Sequence, residues 1–213
     1  MRPMVFAMAV LAAVASQAPH ARASVLIFST SLGPEAVGAT GSGDTRVLSD
    51  NVANTLQVHI DWTGLSGTTT VAHIHCCVAP PGTVGVAVTP MSFPGFPGFP
   101  NFVPGFPTPP VLPGVTAGSY DSPIIPLDEA FSYTAGFLTN FGGGTVAGAE
   151  AALIAGLFAG TAYVNVHSTT FPSGEIRGFP AFVGIPEPSS MLLLAAALGG
   201  LGLLRRRKPA FSR

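Results

Sequence analysis

The sequence predicts a mainly β domain, an antiparallel sandwich or barrel with one short helix, set between two apolar terminal segments. Three observations point there. The 213 residues are 47% hydrophobic and only 9% charged, too apolar a balance for an acidic disordered chain. With 26 Gly and 21 Pro, the chain is cut into short pieces by residues that make turns. Between the cuts, apolar and polar residues alternate with the period of two that marks half-buried strands.

Residues 1–23 read as a secretory signal helix. Arg2 supplies the positive start, an apolar stretch follows, and Ala21-Arg22-Ala23 gives the small-x-small pattern cut after Ala23. About a dozen apolar residues are too few to cross the roughly 30 Å of hydrocarbon in a bilayer. A cut after Ala18 is the alternative. The implied partners are a Sec-type export machinery and a signal peptidase.

Residues 24–184 form the predicted β domain. The clearest strand is 55–62, with Leu56, Val58, Ile60 and Trp62 on one face and Thr55, Gln57, His59 and Asp61 on the other. Further strands are expected at 25–31, 71–75, 84–88, 130–134, 162–167 and 175–182. Residues 146–158, rich in Ala and Leu and halted by Gly160, read as a short helix apolar nearly all round, which should pack inward. Residues 91–113 are a Phe/Pro/Gly-rich insertion. Phe93, Phe96, Phe99 and Phe102 recur every third residue, the spacing at which a polyproline II helix lines one edge. That reads either as an exposed aromatic ridge for a matrix component or carbohydrate, or as a cover for one side of the sheet.

The final segment, 185–213, has Pro186, Glu187 and Pro188, then an uncharged stretch from Ser189 to Leu204, then Arg205, Arg206, Arg207 and Lys208. Sixteen residues reach about 24 Å as a helix, a marginal transmembrane span, and the basic cluster should stay cytoplasmic. These three ordered elements resemble the PEP-CTERM sorting signal of Gram-negative bacteria. The resemblance implies an exosortase-type processing enzyme, transient anchoring by a transmembrane sorting helix, and delivery to the cell surface or exopolysaccharide matrix.

Charge narrows the partners. The net formal charge is −1, but seven of the nine cations lie in the terminal segments. From Glu35 to Glu187 only Arg46 and Arg177 face ten acids, leaving −8, so nucleic-acid binding is excluded as a function class.

Three histidines carry the sharpest chemistry. In Val71-Ala72-His73-Ile74-His75 both imidazoles share a strand face, and His167 closes Tyr163-Val164-Asn165-Val166-His167, where Tyr163, Asn165 and His167 share a face. If those strands are neighbours, His73, His75 and His167 offer a copper or zinc site with an open position. The other reading is that these imidazoles hydrogen-bond to loop backbone and lock strand ends. No cofactor follows firmly from the pattern. Cys76 and Cys77, the only cysteines, read as a vicinal disulfide, a link between chains, a thiolate beside the histidines or inert buried thiols. Glu175 and Arg177 share a face of one predicted strand and are assigned to a structural ion pair. No nucleophile motif or phosphate loop is present, so no catalytic residue is assigned.

The order Leu65-Ser66-Gly67, Ala72-His73-Ile74-His75, Ala155-Gly156-Leu157, Tyr163-Val164-Asn165-Val166-His167-Ser168 and Gly174-Glu175-Ile176-Arg177-Gly178 resembles the CHRD domain first described in chordin. The resemblance implies an extracellular, immunoglobulin-like or barrel-like β domain. The sequence thus leads to an exported, surface-sorted, non-enzymatic module of the envelope or exopolysaccharide matrix. Its alternative is a copper- or zinc-binding redox protein.

Overall fold

The computed structural model describes residues 25–184, apart from residue 109. The predicted signal and sorting helices lie outside these residues, as do Ala23, Pro186, Glu187, Pro188, Arg205, Arg206 and Arg207. Among the described residues no helix is long and apolar enough to cross a membrane.

The polypeptide runs through β1 (Val25–Pro34), β2 (Ser42–Asp50), β3 (Thr55–Thr63), β4 (Thr69–His75), β5 (Val86–Val88), β6 (Gly118–Asp121) and β7 (Ile125–Pro126). After a single 3-10 turn, Ala130–Ser132, come α1 (Ala135–Asn140), α2 (Val146–Phe158), β8 (Tyr163–Ser168), β9 (Ile176–Gly178) and β10 (Ala181–Gly184). All pairings between these strands are antiparallel, in the order β5-β4-β8-β9-β1-β2-β3-β6, with β10 also on β1 and β7 also on β3. The sheet curls into a half-barrel. β1 is its hinge, because one edge pairs with β2 from Val25 to Leu32 while the other meets β10 at Ile27, Phe28 and Ser29 and β9 at Gly33 and Pro34.

Alternation builds the core. β3 buries Leu56, Val58, Ile60 and Trp62, while β4 and β8 add Ala72, Ile74, Val164 and Val166. The neighbouring β2 carries no apolar signature because Thr45 and Ser49 sit beside Val47 on its buried face. Pairing with β1 and β3 on both sides makes it a strand despite that composition. The expected strand at 175–182 is interrupted at Phe179-Pro180 and becomes β9 and β10, since proline has no N–H for the ladder. The expected strand at 130–134 is instead the 3-10 turn, closed by bonds from Ser132 N to Glu129 O and Tyr133 N to Ala130 O.

The Phe-rich insertion is not an exposed ridge. Phe93, Phe96, Phe99 and Phe106 are all buried, and only Phe102 is exposed. Nor is the backbone polyproline II. Phe96 N donates to Phe93 O, Phe99 N to Phe96 O and Phe106 N to Val103 O. Gly95, Gly98 and Gly105 all have φ between 77° and 92°. Pro at the second place and a positive-φ Gly at the third are the requirements of a type II turn. Three such turns therefore feed aromatic rings into the core, where Phe96 packs 5.4 Å from Trp62 and 5.1 Å from Tyr120. Burying each ring contributes about 1.5–3 kcal/mol.

α2 spans the predicted residues. The Thr145 hydroxyl accepts from Gly148 N at its start, and Gly160, at φ 65°, turns the chain away after its end. It buries Ala149, Leu153, Gly156 and Leu157 but does not bury its whole circumference, contrary to the all-inward packing expected. Gly156 is required by close approach, because a Cβ there would strike the sulfurs of Cys76 and Cys77.

Candidate metal centre

β4 and β8 are adjacent, so the condition for a histidine cluster is met. His73 lies opposite Asn165 and His75 opposite Tyr163, which leaves His167 diagonal to His73, within reach on one face. Because Ala72, Ile74, Val164 and Val166 fill the core side, all three imidazoles stand on the other face of the sheet. There the loops around Val84, Met91 and Pro172 cover them, and each is less than a tenth exposed.

Those loops set the orientation of each ring. His73 Nε2 donates to Met91 O at 2.9 Å, His75 Nδ1 to Val84 O at 2.7 Å, and His167 Nδ1 to Pro172 O at 2.7 Å. A carbonyl only accepts, so the bonded nitrogen carries the hydrogen, and in the neutral ring the other nitrogen is left as a lone pair. Those other atoms, His73 Nδ1, His75 Nε2 and His167 Nε2, are buried and have no hydrogen-bond partner. One ligand atom from each histidine lies within 4.8 Å of the others. Tetrahedral donors about 2.0–2.1 Å from zinc stand roughly 3.4 Å apart, so small side-chain rotations bring the set to bonding distance. One nitrogen of each ring is thus locked to loop backbone, as one of the two sequence readings expects, and the other is left without a partner.

The surroundings of His73 and His75 favour the neutral ring. Burial pushes His73 down to about 3, outweighing its bond to Met91. Burial also lowers His75, against its bond to Val84 and the nearby Asn165 amide. Tyr163 stacks on His75 with ring centroids 4.6 Å apart and planes 1° from parallel.

A fourth acceptor belongs to this face. Asn165 Oδ1 is buried and unpartnered, while its Nδ2 donates to Glu35 Oε2 at 3.3 Å. Glu35 in turn meets Arg177 Nη1 at 3.3 Å. Arg177 also donates to Gly82 O and Pro81 O and lies 5.2 Å over the Tyr163 ring, tying down the loop beside the site. The ion pair assigned from sequence is therefore corrected: the partner of Arg177 is Glu35, not Glu175. Glu175 precedes β9 and is fully buried, and its carboxylate accepts from the backbone of Ser66 instead. Burial alone would raise its pKa, but hydrogen bonds from Ser168, Ser66 and Gly67 outweigh that and hold it below the usual range. Nothing in the sequence near Glu35 announces this role, which comes from the end of β1 reaching β9.

Cys76 and Cys77 form a vicinal disulfide. Its sulfurs face α2 at Gly156, so the pair neither links chains nor supplies a thiolate to the imidazoles. His59, on the opposite half of the sheet, bridges Asp61 (2.9 Å) and Asp121 (2.7 Å) and takes no part in the cluster.

A family model for the CHRD domain matches residues 24–179, most of the chain. The chain belongs to the CHRD family. A PEP-CTERM protein-sorting motif matches residues 184–208, directly after the CHRD domain. Together they mark an exported protein destined for the cell surface by way of membrane-anchored, exosortase-type processing. No curated protein and no solved structure matches the chain.

Proposed function

We propose that this surface-sorted CHRD domain is a non-enzymatic metal-binding module of the envelope or exopolysaccharide matrix, holding one zinc or copper ion on His73, His75 and His167. One observation carries the reading: three imidazole nitrogens and the Asn165 carbonyl oxygen, all buried acceptors, share one face with no donor assigned to any of them. Unpaired buried acceptors each cost about 1–3 kcal/mol. A cation satisfies the three nitrogens together. Three neutral nitrogen donors suit zinc or copper better than calcium or magnesium, which take oxygen. With three protein ligands the ion keeps a position for water, and Asn165 Oδ1 is the acceptor that would hold it. Glu35 is engaged by Arg177 and Asn165, which supports binding rather than base catalysis.

The test is elemental analysis of the exported, purified protein. One zinc or copper per chain is expected, lost in His73→Ala and His167→Ala, because removing a ligand weakens binding by at least about 100-fold. Wild-type protein that stays metal-free after dialysis against both ions would overturn the proposal.

A further inference from the structure

The described part of the domain ends on an apolar surface that its core does not use. α2 turns Ala147, Ala151, Ala155 and Phe158 outward, and Phe158 remains 52% exposed. Beside it β10 presents Phe182 at 42% and Val183 at 59% exposure. The rings of Phe158 and Phe182 lie 5.1 Å apart, and both rest on the fully buried Phe28, at 5.1 and 5.6 Å. They form a platform anchored in the core rather than a loose pair of side chains. Charge is sparse as well: Glu150 borders this face near the start of α2, but no charge occurs between Glu150 and Glu175, or between Arg177 and Glu187. A patch of this kind marks an interaction surface.

The course of the chain selects the occupant. β10 ends at Gly184, where the sorting motif begins, and the uncharged run starts at Ser189. The intervening stretch, 185–188, reaches about 14 Å at most when fully extended. A domain of this size is roughly 40 Å across, and the headgroup layer on each side of a bilayer is only about 5–7 Å thick. While the tail is anchored, the end of β10 must therefore stay beside the lipid, and the domain is too wide to swing that edge away.

We propose that Phe158, Phe182, Val183 and the outer face of α2 are a lipid-docking surface, which seats the domain on the membrane until its tail is removed. The proposal rests on the sorting motif and is independent of the metal site. Aromatic and aliphatic side chains enter the headgroup boundary without a charge to desolvate. The net charge of −7 over residues 24–184 disfavours an anionic leaflet, so an uncharged contact is the one open to it. Without the tail, so few inserted side chains hold only reversibly, and the domain is free to leave.

Depth-dependent fluorescence quenching tests this on the full chain in phosphatidylcholine nanodiscs carrying brominated acyl chains. The native Trp62 is buried and gives a constant background. A Phe182→Trp probe is expected to be quenched roughly twofold more than a Val37→Trp probe, which sits in the turn beyond the far end of β1. Because the tether alone keeps this edge near the headgroups, adding Phe158→Ser, or Val183→Ser should Phe158→Ser misfold, is expected to cut the quenching of the Phe182→Trp probe by about half while leaving it above the Val37→Trp level. Equal quenching of the two probes, or quenching of the Phe182→Trp probe unmoved by the serine variants, overturns the proposal. An unquenched Phe182→Trp probe in a chain whose serine variants are still poorly processed in cells would assign the surface to the processing enzyme, and would equally overturn lipid docking.

Discussion

Stripping the protein of metal and adding zinc back should raise its thermal midpoint, and deleting one imidazole should abolish the rise. An ion that binds only the folded chain, present at about 100 times its dissociation constant, adds roughly 2.7 kcal/mol. About 160 folded residues at roughly 2.1 cal/mol/K each give an unfolding entropy near 0.34 kcal/mol/K, so the midpoint should climb by about 8 °C. Differential scanning calorimetry at matched zinc concentrations reads this directly. His167→Ala removes the donor that β8 brings diagonally to His73 and should leave a shift near zero, while His59→Ala, on the other half of the sheet, should keep all of it. Asn165→Ala is expected to fall between, since outer contacts typically tune metal affinity by about 10–100-fold. A shift that survives in His167→Ala, or one lost in His59→Ala, would refute the claim that the three buried imidazoles hold the ion.

Other consequences follow from the packing and charges. Gly98→Ala should cost at least about 2 kcal/mol in urea unfolding, because φ is 92° and the new Cβ would meet the Thr69 carbonyl oxygen. Gly38→Ala, at φ 87° but facing open space, should cost only about 1–2 kcal/mol. Phe96→Ala should cost about 3–5 kcal/mol, the usual penalty for emptying a buried aromatic site. Glu175→Gln should cost about 1–3 kcal/mol at neutral pH. Since its folded pKa is lowered, that contribution is full above the unfolded value of 4.5 and is lost as pH falls from there through the lower folded pKa, so acid titration should narrow the gap between wild type and variant. The His59 pKa is raised, chiefly by Asp61 and also by Asp121, against a smaller opposing effect of burial. Its contribution should be full below pH 6.5 and lost as pH rises through the folded pKa, and should amount to a few tenths of a kcal/mol at this partly exposed site. An NMR titration of His59 in Asp61→Asn, showing the pKa moved back down, would check the cause.

Some of this was legible because it is periodic. The alternation of β3, the paired faces of β4 and β8, and the Ala/Leu run of α2 each follow from side-chain direction within one element. The histidine triad was legible as residues but not as a site, because only the β4–β8 register makes His167 diagonal to His73. Where local signals were weak or ambiguous, the sequence reading failed for identifiable reasons. β2 places polar Thr45 and Ser49 on its inner face, so no apolar period marks it. The three-residue period of the Phe-rich stretch fits both a polyproline ridge and a chain of type II turns. The pairing of Pro with Gly distinguishes the two, and of the two expectations the buried rings agree with the segment that covers one side of the sheet.

From the sequence alone came the destination of the protein, its β class and the residue types available for chemistry, since targeting signals, strand period and ligand identity are local properties of the chain. Tertiary structure alone decided that Arg177 pairs with Glu35 rather than Glu175, that four phenylalanines turn inward, and that three imidazole nitrogens without partners come within 4.8 Å of one another. Each of those outcomes depends on segments tens of residues apart meeting at a particular strand register, and register is set by the packing of the whole sheet rather than by any one stretch of it.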